Sequence, residues 1–177
     1  MILYPYIPEW KQWFNDLQEA ISSGISMTNI SLHHVGSTAI PGLLAKPIID
    51  IDIEIPNYDD FQTLCTDLDK LGYTNNGDQG IKNRIAFKQR DDEVPYCSSK
   101  RKWINHHLYV CPSFSEELHR HIAFRNYLQS NVQARDEYAR IKREVEKESN
   151  DDRKNDAAIK EIKAKAFVEM IIKNACV

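Results

Sequence analysis

His33-His34-Val35-Gly36-Ser37-Thr38-Ala39-Ile40-Pro41-Gly42-Leu43-Leu44-Ala45-Lys46-Pro47-Ile48-Ile49-Asp50-Ile51-Asp52-Ile53-Glu54-Ile55 is the segment from which the rest of the chain can be read. Its last seven residues alternate without a fault. Ile49, Ile51, Ile53 and Ile55 fall on one side, and Asp50, Asp52 and Glu54 on the other. That period of two predicts a strand with one apolar and one acidic face. A strand rises about 3.3 Å per residue, so Asp50 and Asp52 project from the same face about 6–7 Å apart at Cα. Two carboxylates at that spacing can converge on one divalent cation. Magnesium favours one or two carboxylates, with waters and substrate phosphates completing its octahedron. Asp is a poor strand former, so two in alternation are an unusual choice for a merely exposed edge. Upstream, a short strand ending at Val35 feeds Gly36-Ser37, and glycine lets the backbone approach a ligand closely. The Ser37 hydroxyl and the next amides open a short helix or turn, where N–H groups and dipole favour a phosphate.

Working outward, the first half of the chain is strand-like and the second half helical, an α+β pattern rather than strict βαβ alternation. Trp10, Trp13, Phe14, Leu17 and Ile21 recur at spacings of three and four, predicting an amphipathic helix over 9–21 after Pro8. Strands are expected over 28–35, 47–55, 84–90 and 104–110, and a helix over 59–71 with Gly72 as its stop. From Ser115 onward three charged helices are expected, the second over about 132–148 and the last reaching Asn174. In that last helix Ile159, Ile162, Ala166, Phe167, Met170 and Ile171 form the expected apolar side. The mixed charges between Arg135 and Lys165 read as solvated faces with (i, i+4) pairs.

The 177 residues fit one domain, 1–177, with a helical part over about 115–177. Such a chain buries roughly 70% of its unfolded surface and needs no staple to fold. Apolar residues make up 42% and charged residues 28%, ordinary values for a globular chain and not for a disordered one. The absence of a run of 18 apolar residues argues against a membrane span, and the first residues lack a signal-peptide pattern. A cytoplasmic location is the expectation. With 23 basic and 26 acidic residues the net charge is -3, so no basic field draws in nucleic acid. Cys65, Cys97, Cys111 and Cys176 are scattered without Cys-x-x-Cys spacing and read as reduced thiols.

The order strand, Gly36-Ser37, helix, then Asp50-Ile-Asp52 on the next strand resembles the nucleotidyltransferase superfamily of the DNA polymerase β type. Within it, His34-Val-Gly-Ser-Thr-Ala-Ile-Pro-Gly-Leu43 with Lys46-Pro-Ile-Ile-Asp50-Ile resembles the GrpB family. Agreement extends to Trp10 after Pro8-Glu9, Leu71-Gly-Tyr73, Arg84 before the Phe87 strand, His106-His-Leu-Tyr-Val110, Phe124-Arg-Asn-Tyr-Leu128, and Tyr138 with Lys142. The similarity covers about residues 4 to 172. It implies a mixed β-sheet backed by helices, with Gly36 and Ser37 at the phosphates and Asp50 and Asp52 as the first two metal carboxylates. The superfamily's third carboxylate belongs on a neighbouring strand. The matching strand, 104–110, has no Asp or Glu.

Alternation in that strand puts His107 toward the carboxylates and His106 among apolar residues. His107 would then be a ligand, or a general base for a substrate hydroxyl. His34 matches the family string; either a pocket role or a role in fixing the turn suits it. His119 and His121, two apart on a helix, read as surface or packing residues. Lys46 and Arg84 are the expected phosphate-binding cations. Lys100-Arg-Lys102 beside Trp103, Arg125 and Lys142 are further basic candidates.

The resemblance implies Mg2+-dependent transfer of a nucleotidyl group from a nucleoside triphosphate to a small acceptor. Asp50 and Asp52 would hold the metal, Gly36, Ser37, Lys46 and Arg84 the phosphates, and His107 the acceptor. A non-catalytic nucleotide- or protein-binding module is the alternative, as in relatives joined to dephospho-coenzyme A kinase. A third reading is a small hydrolase using His34, Asp50, Asp52 and His107 on a transition metal.

Overall fold

The computed structural model describes residues 2–148 and 165–173. Its elements run α1 (Glu9–Gly24), β1 (Ser31–Val35), β2 (Ile49–Ile55), α2 (Phe61–Lys70), β3 (Tyr73–Asn75), β4 (Ile85–Gln89), β5 (His106–Pro112), α3 (Glu116–Ser130) and α4 (Val132–Glu148). Residues 165–173 are also helical. The protein is α+β, with a five-stranded mixed sheet in the order β1-β2-β5-β4-β3. Only β2 and β5 pair in parallel; the other neighbours are antiparallel.

The alternation in β2 does what its period demands. Ile49, Ile51, Ile53 and Ile55 are all fully buried in a core with Trp10, Phe14, Leu17 and Ile21 of α1 and Leu64 and Leu68 of α2. Each fully buried Ile contributes about 1.5–3 kcal/mol relative to exposure, so this face anchors the sheet. α2 stops where expected: Gly72, at φ +96°, follows the Leu71 cap. The short strand β3, 73–75, was not foreseen, since three residues carry too little periodicity to be read.

The apolar face also takes His106, which sequence alternation had set among apolar residues. It is buried and receives two well-defined contacts. Its Nδ1 donates to the Ile104 carbonyl at 3.0 Å, and its Nε2 therefore accepts from the Tyr73 hydroxyl at 2.6 Å. Burial pushes its pKa down to about 4, so the ring is neutral at pH 7. Tyr73→Phe would leave Nε2 without a donor in the core. The expected loss is about 1–3 kcal/mol in urea melts, with unchanged secondary structure.

A second apolar cluster lies beyond the sheet. Ile40, Leu43 and Leu44 of the loop after β1 pack with Leu128, Tyr138, Ile141, Val145 and Ile171. In the helix over 165–173, Phe167, Val168 and Ile171 turn inward, and Phe167 stacks on Tyr138 at 5.9 Å. Ala166 and Met170 are exposed, which corrects the expected apolar side. They sit four apart on the opposite flank of the helix. Ile159 and Ile162 lie outside the described residues. Arg140 pairs with Glu137 and Glu144 on the solvated side of α4, as the charge pattern suggests.

Candidate functional site

Register decides which side chains meet. Asp50 stands opposite Val35 on one side and His107 on the other, and Asp52 opposite His33 and Tyr109. Partners in register share a face, so the polar face of the sheet carries Asp50, Asp52, Glu54, His33, His107 and Tyr109. Each carboxylate of β2 is matched to an imidazole. His107 Nδ1 donates to Asp50 Oδ1 at 2.8 Å, and His33 Nε2 to Glu54 Oε2 at 2.7 Å. The third imidazole comes from elsewhere: His121 Nδ1, on α3, donates to Asp52 Oδ2 at 2.8 Å.

His121 corrects the sequence reading of a surface or packing residue. Its Nε2 also reaches Glu117 Oε1 at 3.1 Å, so the ring bridges two carboxylates. Burial alone would lower its pKa, but hydrogen bonds to Asp52 and Glu117 and their charges outweigh burial and raise it to about 9. At neutral pH it is an imidazolium. Glu117 is held below the usual carboxylate range, chiefly by the bond from His121. A signal for this pair existed: Glu117 and His121 are four residues apart and share a helical face. The comparison of His119 with His121 concealed it.

α3 covers part of the polar face, so Asp52 is fully buried. β2 is an interior strand, with β1 at the edge beside it.

Gly36 is needed for a more local reason than ligand approach. At φ +70° and ψ −169° it occupies backbone space almost reserved for glycine. A Cβ built there would overlap Asp50 Oδ2. The space that sequence reasoning kept for a phosphate is filled by the Asp50 carboxylate itself. After it, Ser37–Ala39 form a single 3-10 turn. Thr38 donates to the Ile48 carbonyl and accepts from His34 Nε2 at 3.0 Å, tying the turn to the start of β2. His34 sits on the apolar side, stacked on Phe14 at 4.7 Å, and burial lowers its pKa to about 4. It fixes the turn from the face opposite the carboxylates.

A cavity of about 290 Å³ opens beside these elements, lined by Ser37, Thr38, Lys46, Asp50, His107 and, from α4, Ile141, Lys142 and Val145. Of the residues singled out from the sequence, Ser37, Lys46, Asp50 and His107 thus come together. Lys142, a further basic candidate, joins them; its Nζ donates to the Leu44 carbonyl at 2.7 Å. Asp52 and Arg84 do not line this cavity. Arg84 is buried over the Tyr109 ring, 4.4 Å from its centroid. Arg125 donates to the His34 carbonyl at 2.9 Å. In the 100–102 cluster, Arg101 pairs with Asp16 and stacks on Trp103, and Lys102 pairs with Asp92. Neutralised cations of that kind make a poor polyphosphate platform.

Among the described residues no group of three or more His, Cys, Asp or Glu side chains is arranged to hold a metal ion. That fits poorly with the hydrolase reading, whose four proposed ligands are split between the two faces of the sheet. Magnesium asks for less from the protein. Asp52 Oδ1 is buried and meets no donor among the described residues, and Asp50 lies two residues away on the same face. Those two carboxylates suit the ion. Cys65, Cys97 and Cys111 are free thiols, and Cys176 lies outside the described residues. No helix among the described residues is long and apolar enough to cross a membrane.

Comparison with known proteins places the chain. Residues 1–173 match the family described as GrpB protein. UPF0157 protein BH1888 of Halalkalibacterium halodurans is 36% identical over 143 residues, 81% of this chain and 68% of that protein. UPF0157 protein YqkA of Bacillus subtilis is 30% identical over 140 residues, 79% of this chain but only 38% of that protein. The crystal structure of conserved protein GrpB from Enterococcus faecalis superposes with a TM-score of 0.77 at 27% identity, covering 98% of this chain and 96% of that one. A sheet built around the string 34–43 and the strand Asp50-Ile-Asp52, together with a match over nearly the whole length, makes this chain a member of the GrpB family.

Proposed function

We propose that the cavity beside Asp50 binds a nucleoside triphosphate and that the protein transfers its nucleotidyl group to a small acceptor in a magnesium-dependent reaction. The observation that carries this reading is the convergence of Ser37, Lys46, Asp50, His107 and Lys142 on one cavity. Asp50 and Asp52 would hold the ion. An ion held there would supply positive charge against the triphosphate and acidify an acceptor hydroxyl. Lys46, Lys142 and the Ser37 hydroxyl supply positive charge and a donor for phosphate oxygens. His107 Nδ1–H donates a hydrogen bond to Asp50 Oδ1, which leaves Nε2 to accept the acceptor's proton. Asp50 fixes that tautomer, the role an orienting carboxylate plays for a general base.

One observation favours the non-catalytic alternative. Asp52 is buried under α3 against an imidazolium, and β5 offers His107 where a third carboxylate would stand. A module that binds nucleotide or protein without chemistry would tolerate both features.

Two measurements separate the readings. A ligand that binds only the folded state raises the melting temperature. Nucleoside triphosphates are expected to raise it with magnesium present and much less without, and pyrophosphate should be released in the presence of hydroxyl or amino acceptors. Asp50→Asn, which leaves the buried Asp52–His121 pair in place, should abolish both effects and leave the fold intact. If no triphosphate shifts the melt and no acceptor gives pyrophosphate, the transferase reading fails. A triphosphate shift without pyrophosphate supports the binding module.

A further inference from the structure

Asp52 is fully buried, yet only one of its oxygens has a donor. Oδ2 accepts from His121 Nδ1 at 2.8 Å, whereas Oδ1 meets none among the described residues. A buried carboxylate oxygen left so carries its full desolvation penalty unless a ligand satisfies it. The ring that holds Oδ2 is itself held. His121 Nε2 lies 3.1 Å from Glu117 Oε1, an ion-pair contact one helical turn earlier on α3. Glu117, His121 and Asp52 therefore form a chain from helix to sheet that fixes how the Asp52 carboxylate is rotated.

We propose that His121, oriented by Glu117, is a positioning residue that clamps Asp52 Oδ2 and so presents Oδ1 to a divalent cation. The proposal rests on the magnesium reading of Asp50 and Asp52. It assigns α3 a share of the site that β2 and β5 do not supply. Outer-shell partners of this kind, a ring on the distal oxygen of a ligating carboxylate, change metal affinity by about 10–100-fold when removed. Glu117 acts one step further out, 3.1 Å from Nε2, and holds the ring in one orientation.

The test is titration of the full chain with Mn2+ alone, as a magnesium surrogate, following the free-ion signal by electron paramagnetic resonance. Thermal melts of each variant run in parallel. Wild type should bind Mn2+, and Asp50→Asn, which leaves the Asp52–His121 pair intact, should abolish binding. His121→Ala should weaken it by about tenfold or more. His121→Asn, whose amide nitrogen reaches the Nδ1 position, should stay within about threefold of wild type, a rescue that mere space-filling would not give. Glu117→Gln should weaken binding several-fold with little change in melting temperature, and it decides the matter if the alanine variant does not fold. Should Glu117→Gln and any folded His121→Ala bind like wild type, or Asn do no better than Ala, the positioning role is overturned while the metal pair stands. If wild type binds no Mn2+, or Asp50→Asn binds it equally well, the metal reading itself falls and the proposal with it.

Discussion

Removing the imidazole in His121→Ala is expected to cost about 3–5 kcal/mol of folding stability, because it strands a fully buried carboxylate at Asp52. The same pair predicts a pH dependence of known sign. His121 has a folded pKa raised to about 9, whereas an unfolded histidine titrates near 6.5. A group whose folded pKa is raised contributes stability that is fully present below the unfolded value. That contribution declines as pH rises past about 6.5 and is lost once pH passes about 9. Urea melts from pH 6 to pH 10 should show wild type losing on the order of 3 kcal/mol more than His121→Ala over that window. Parallel curves for the two proteins would mean that His121 is not protonated in the folded state.

Gly36→Val is expected to be the most damaging change in the 36–46 loop. Backbone at φ +70° and ψ −169° costs a residue with a Cβ about 1–3 kcal/mol. The Cβ must also displace the Asp50 carboxylate, which cannot move without releasing His107. A total loss of about 3 kcal/mol or more is expected, together with loss of triphosphate-induced stabilisation. Gly36→Ala separates the two contributions, since its smaller side chain keeps the backbone strain and the first overlap but adds no branch. Wild-type stability in Gly36→Ala, measured by calorimetry, would contradict the geometry of the turn.

The element most legible in the sequence was β2. Its alternation is a local property: a period of two in Ile49 to Ile55 forces one face apolar, and any helix packed on the sheet must choose that face. The helix starts at Glu9 and Ser115 were similarly local, written in Pro8 and in a Ser side chain that accepts from Leu118 N. His107 could be set beside the acidic strand because alternation gives it a face; its partner at 2.8 Å required the parallel register with β2.

Other features were not local. His121 and Asp52 lie 69 residues apart and meet only because α3 docks on the polar face. Nothing in α3 announces that docking, since Leu118, Ile122, Phe124 and Leu128 do not form one continuous apolar stripe. Asp52 is therefore buried by an element that the sequence did not place above it, and Arg84, read as a phosphate ligand, lies over Tyr109. Taken by itself, the sequence determined the strand, the turn and the pairing of two acids on one face, because period and backbone conformation act over a few residues. Tertiary structure decided which acid reaches the cavity and which is held by an imidazolium, because burial and ion pairing depend on which distant element comes to rest above each side chain.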